Sequence, residues 1–128
     1  MVKNIIGCLL MVFLTSCMAH NKEYYRNNPQ ALQAALKQCP KKQPATVSCE
    51  ELSDIAQDLN RYAYELQLNP QQFGLKILNL QIQLATVNNE LRKGNSEPTN
   101  LKDKIATSEQ ELKTRLAVVK WLESPETR

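Results

Sequence analysis

Between Asn69 and Gly94, the residues Phe73, Ile77, Leu80, Leu84, Val87 and Leu91 recur at alternating steps of four and three. That spacing gathers apolar side chains along one side of an α-helix and scatters them over both faces of a strand, so the segment is predicted to be a long helix with a buried seam. Asn69-Pro70 offers an N-cap followed by a proline suited to the first turn, Gly94 supplies a C-terminal stop, and Pro98 prevents continuation. Leu75, Leu78, Ile82 and Ala85 make a second apolar stripe, which predicts that this helix lies against two neighbours.

The same punctuation divides the rest of the chain. Asn28-Pro29 starts a short helix whose narrow apolar face is Ala31, Leu32, Ala35 and Leu36, ending near Cys39. Ser48 and Glu51 have capping-box spacing and open a helix from about Cys49 to Leu68, with Leu52, Ile55, Leu59, Tyr62 and Leu66 at steps of three and four. After Pro98, Thr99 or Asn100 caps a last helix with Leu101, Ile105, Leu112, Leu116 and Val119 inside, Ser108 interrupting the stripe, and Trp121 and Leu122 closing the far end. Only three glycines and two phenylalanines occur in 128 residues, a composition that favours helix over sheet. The expectation is an all-α protein of about four helices: a short helical hairpin, then a long antiparallel one that supplies most of the core.

The N-terminus carries an address. Ile5 to Leu14 reads IIGCLLMVFL, an apolar run that suits a signal-peptide core but falls short of the roughly 20 residues that span a bilayer. Leu14-Thr15-Ser16-Cys17 then resembles the lipobox of bacterial lipoproteins. The resemblance implies a signal peptide over 1–16, a diacylglyceryl group on the Cys17 thiol, a lipidated tether over 17–27 and a single helical domain over 28–128. Two or three acyl chains hold a protein on a membrane where one does not, since each buried methylene contributes about 0.8 kcal/mol. Met18 follows the anchor, where an Asp commonly retains lipoproteins of Gram-negative bacteria in the inner membrane, so the resemblance implies an outer-membrane protein facing the periplasm. The competing reading is an ordinary signal peptide cut near Ala19, with Cys17 discarded.

With Cys8 in the leader and Cys17 lipidated, Cys39 and Cys49 remain as the one possible intramolecular pair in an oxidising compartment. A disulfide between them staples the end of one helix to the start of the next through a loop containing two prolines, and Pro40 steers Cys39 away from helical geometry. A metal site or a reactive thiol is the alternative, but two cysteines with His20 in the tether make a poor ligand set.

Other chemistry is sparse. The formal charge of +3 falls by one if Lys3 leaves with the leader, too mild for nucleic acid. No glycine-rich phosphate loop or nucleophile elbow is present, so no catalytic residue, metal or cofactor is expected. Glu111-Leu112-Lys113, with Asp103 upstream, matches the Glu-x-Lys element of a nuclease superfamily, but on a helix Glu111 and Lys113 point about 200° apart and do not converge on one metal. Tyr24, Tyr25, Tyr62 and Tyr64 are expected to pack at helix ends.

Tyr24-Tyr25-Arg26-Asn27-Asn28-Pro29, then Leu32, Leu36, Cys39 and Cys49, all just after a lipobox, resembles the entry-exclusion lipoproteins of conjugative type IV secretion systems. The likeness covers roughly residues 14 to 55. The longer form is also similar to small secreted proteins of intracellular Gram-negative bacteria, some described as nucleases. The first resemblance implies a non-catalytic envelope module that binds another protein, in exclusion or secretion. Tyr25, Arg26, Lys41 and Lys42 are its candidate interface residues. A structural envelope lipoprotein is the alternative function, and a secreted nuclease the remotest.

Overall fold

The computed structural model describes residues 20–94 and 98–124; the leader and Cys17 lie outside them. The protein is all-α. Among the described residues there are five helices: α1 (Lys22–Asn27), α2 (Pro29–Gln38), α3 (Cys49–Leu68), α4 (Pro70–Lys93) and α5 (Pro98–Glu123).

The element not foreseen is α1, which falls within the expected tether of 17–27. Asn21 accepts a hydrogen bond from Tyr24 N at 2.9 Å, and Glu23 and Arg26 sit at the helix ends where each complements the dipole. So short a helix has no stability alone. It exists because Tyr25, 6% exposed, is buried in the core, and because Lys22–Glu51 (2.6 Å) and Lys113–Glu23 (3.2 Å) tie its start to α3 and α5.

The two Asn-Pro signals both precede helices but work differently. Asn69 caps α4 with its side chain, accepting from Gln72 N at 2.9 Å. Asn28 makes no such cap; its Nδ2 instead donates to Tyr24 O at 2.8 Å, joining α1 to α2. The Ser48 capping box is complete in both directions: Ser48 N donates to Glu51 Oε2 at 2.9 Å and Glu51 N to Ser48 Oγ at 3.1 Å. Gly94 ends α4 with a φ of 69°, the left-handed conformation that glycine adopts without a Cβ penalty.

The main core corrects the expectation that the long hairpin provides it. Tyr25, Leu32, Val47, Leu52, Ile55 and Leu59 come from α1, α2, α3 and the loop before α3, and α5 adds Val118. Val47 was not picked out by helical periodicity. It precedes the N-cap Ser48 while Leu52 is the fourth helical residue, the arrangement of a hydrophobic staple, and both are buried in the same cluster.

The long hairpin keeps its predicted seam: Phe73 and Val87 are buried, and Ile77, Leu80, Leu84 and Leu91 half-buried. Two details differ. α4 does lie against two neighbours, α5 and α3, but not through its second stripe, where Leu75, Leu78 and Ile82 are exposed among the described residues. On α5, Leu116 is 46% exposed while Arg115 is buried. The inward positions Leu101, Ile105, Ser108, Leu112, Arg115, Val119 and Leu122 continue the four-three alternation; Arg115 takes the inward place expected for Leu116 because its charge is paired there with Glu65 and Glu111.

Candidate functional site

The Cys39–Cys49 disulfide fixes one corner of the molecule, with the Cα atoms 6.0 Å apart across a sequence separation of 10. Cys39 ends α2 in an extended conformation (φ −70°, ψ 148°), as a following proline requires, and the Cys39–Pro40 peptide is cis. Inside the closed loop, Lys42 N donates to Gln38 O at 2.9 Å and Cys49 N to Gln43 Oε1 at 3.2 Å. Thr46 reaches across to His20 O. The loop is thereby held against the start of α1, where His20 stacks on Tyr24 with centroids 3.8 Å apart and Tyr24 meets Tyr25 edge-on at 5.3 Å.

Between these parts lies an open groove of about 530 Å³, lined by His20, Tyr24, Ala34, Ala35, Lys42 and Thr46 among others. Small apolar side chains of α2 and of the loop, Ala31, Ala34, Ala35 and Ala45, form much of its lining, and Lys42 and Thr46 add polar groups. Such a surface suits an apolar segment of another protein bearing a negative charge.

The four candidate interface residues do not form one patch. Lys41 and Lys42 are exposed on the stapled loop. Tyr25 is 6% exposed and belongs to the core cluster, yet it also lines the groove together with Lys42, beside the half-exposed ring of Tyr24. Arg26 lies 3.8 Å from Asp58 and lines a different hollow with Tyr62 and Glu111, away from Lys42.

The second concentration of interacting groups is built around Arg115, 3% exposed. Its guanidinium lies 4.4 Å from the centroid of Tyr62 and 4.8 Å from that of Phe73, so it is held between rings from α3 and α4. Nε donates to Glu111 at 2.8 Å and Nη1 to Glu65 at 3.1 Å; Lys76 adds a bond to Glu65 at 3.3 Å. Burial pushes the Glu65 carboxyl up, but the bonds and charges of Arg115 and Lys76 outweigh it and leave the pKa below the ordinary glutamate value. The knot joins three helices and satisfies its own charges. Glu111 bonds to Arg115 within this knot, while Lys113, on another face of α5, bonds to Glu23 of α1.

No group of three or more His, Cys, Asp or Glu side chains is placed to hold a metal ion, and no helix is long and apolar enough to cross a membrane, both among the described residues. No known protein family, curated protein or solved structure matches the chain.

Proposed function

We propose that the chain is an exported lipoprotein, anchored through Cys17 and facing the periplasm from the outer membrane, and that its stapled corner is a non-catalytic protein-binding module serving entry exclusion or a type IV secretion system. The observation that carries the binding role is the groove between the His20–Tyr24 stack and the disulfide-closed loop. A loop immobilised by a disulfide loses little conformational entropy when a partner docks, which favours recognition. The lipobox-like Leu14-Thr15-Ser16-Cys17 and the paired cysteines support export to an oxidising compartment.

Two measurements test this. Fatty-acid labelling should mark the wild type and disappear in Cys17→Ser; label retained in the variant removes the anchor. In a donor–recipient mating assay, the intact protein expressed in the recipient should lower transfer of a matching element. The Lys41→Ala/Lys42→Ala variant should restore transfer without altering the far-UV circular dichroism. If the intact protein changes transfer of no related element, the exclusion role fails and a structural role in the envelope becomes the better reading.

A further inference from the structure

The sides of α4 have opposite fates. Phe73 and Val87 are buried along the seam towards α5, and Lys76 turns to Glu65 of α3. Leu75, Leu78 and Ile82 lie roughly 160° around the helix from that seam, and they are 53%, 48% and 55% exposed. With exposed Ala85 they continue at steps of three, four and three, the a/d register of a coiled-coil seam. Polar Gln71 and Asn89 end the stripe in the same register.

Three features identify what such a stripe fits. First, Ile77 to Asn89 contains no charged residue, so Asn79, Gln81 and Thr86 flank the stripe with neutral groups. A helix paired with its own copy sets each flank near the same flank, and neutral flanks remove the like-charge repulsion that such symmetry otherwise imposes. An anionic membrane surface would instead be met by lysine or arginine beside the apolar face. Second, Gly74 weakens the helix in which it lies, yet a Cβ there would meet nothing within 4 Å. No contact among the described residues requires glycine, whereas an approaching helix gains from its absence of side chain. Third, Arg92 and Lys93 stand exposed at the end of α4. Parallel pairing would gather these cations from both copies at one end; antiparallel pairing separates them.

We propose that the outer face of α4 is a homotypic docking surface, on which a second copy lays its own α4 antiparallel. Leu78 of one copy then packs against Ile82 of the other, and Leu75 against Ala85, large against small. This inference does not rest on the binding role of the stapled corner, and its test makes no use of conjugation.

Two full-length versions carrying different tags, one with Leu78→Cys and one with Ile82→Cys, are co-expressed and oxidised in cells. The antiparallel register predicts a mixed-tag disulfide product in several-fold excess over either same-tag product. Adding Leu75→Glu to both versions should remove that product while helicity and the melting temperature of the dilute, unpaired chain stay unchanged, because residue 75 is exposed within one chain. Cys39 and Cys49 are consumed in their own bond, and the chain without added cysteine reports any product through Cys8 or Cys17. Same-tag products alone, no product, or a mixed product indifferent to Leu75→Glu each overturn the proposal. So does loss of binding to zwitterionic vesicles in Ile82→Glu without any crosslinked product, which would assign the stripe to lipid.

Discussion

α3 and α4 are joined by a single residue, Asn69, and both carry apolar side chains at helical spacing, but the chain uses them in opposite ways. Leu52, Ile55 and Leu59 of α3 are almost wholly buried, whereas Leu75, Leu78 and Ile82 of α4 stand about half exposed. α3 touches all four other helices; α4 touches two. Periodicity states which residues share a face. Whether that face is covered depends on how many elements converge on it, and that is decided by the connections elsewhere: a staple and a short α1 that crowd helices around α3, and, among the described residues, no element that folds back over α4.

The contrast is broken most sharply by one substitution made in each region. Leu52→Ala removes a fully buried side chain and should cost about 4 kcal/mol in urea unfolding, while Leu78→Ala, exposed within the single chain, should stay within about 0.5 kcal/mol at protein concentrations too low for pairing. Equal losses at such dilution would mean that the outer face of α4 is covered within one chain. Arg115→Ala comes next, at about 3 kcal/mol, because Glu65 and Glu111 lose their shared partner and the rings of Tyr62 and Phe73 lose what separates them. A change below about 1 kcal/mol would show that the apolar seam alone holds the long hairpin to α3. Cys39→Ser/Cys49→Ser should cost about 2 to 3 kcal/mol for a loop of this size; an unchanged urea midpoint would show that the capping box and Val47 already fix the loop.

The smallest effect is that of pH. Glu51 has a lowered pKa, chiefly through the hydrogen bond from Lys22 and then that from Ser48 N, and Glu65 is lowered for the reasons given above. A carboxylate whose folded value lies below its unfolded one contributes stability that is present above the unfolded value and lost as pH falls through the folded one. The melting temperature should therefore vary little between about pH 7 and pH 5 from these groups and decline below about pH 4. Glu51→Gln/Glu65→Gln should flatten the decline, and an unaltered slope would show that other carboxylates govern it.

Much of the fold is legible in the sequence, because its signals are local. Ser48 and Glu51 mark the start of α3, and the two Asn-Pro pairs mark α2 and α4, since caps and prolines act within one turn. The pairing of Cys39 with Cys49 follows from counting. What is not legible depends on distant parts. α1 has too few residues to announce itself, and Tyr25 becomes a core residue only because Leu32, Ile55 and Val118 surround the same space. Arg115 is polar by type and buried by circumstance, its stem and guanidinium sheltered by two rings that lie 53 and 42 positions earlier in the chain. At the candidate site, Lys41 and Lys42 are readable as exposed loop residues, but that Tyr25 is mostly buried while Tyr24 beside it stays half-exposed depends on which ring packs inward.

The first and last helices meet. Glu23 of α1 and Lys113 of α5 are ninety positions apart and 3.2 Å from each other, and Val118 lies in the cluster that buries Tyr25. The leading part of the chain therefore has no finished core to settle into until the trailing part arrives, and contacts of such separation form slowly. For a polypeptide that must pass unfolded through a translocon, as proposed here, this ordering is a safeguard against arriving at the pore already collapsed. Ribosome-stalled or truncated chains ending before α5 should accordingly remain sensitive to protease along α1, whereas the complete chain should not.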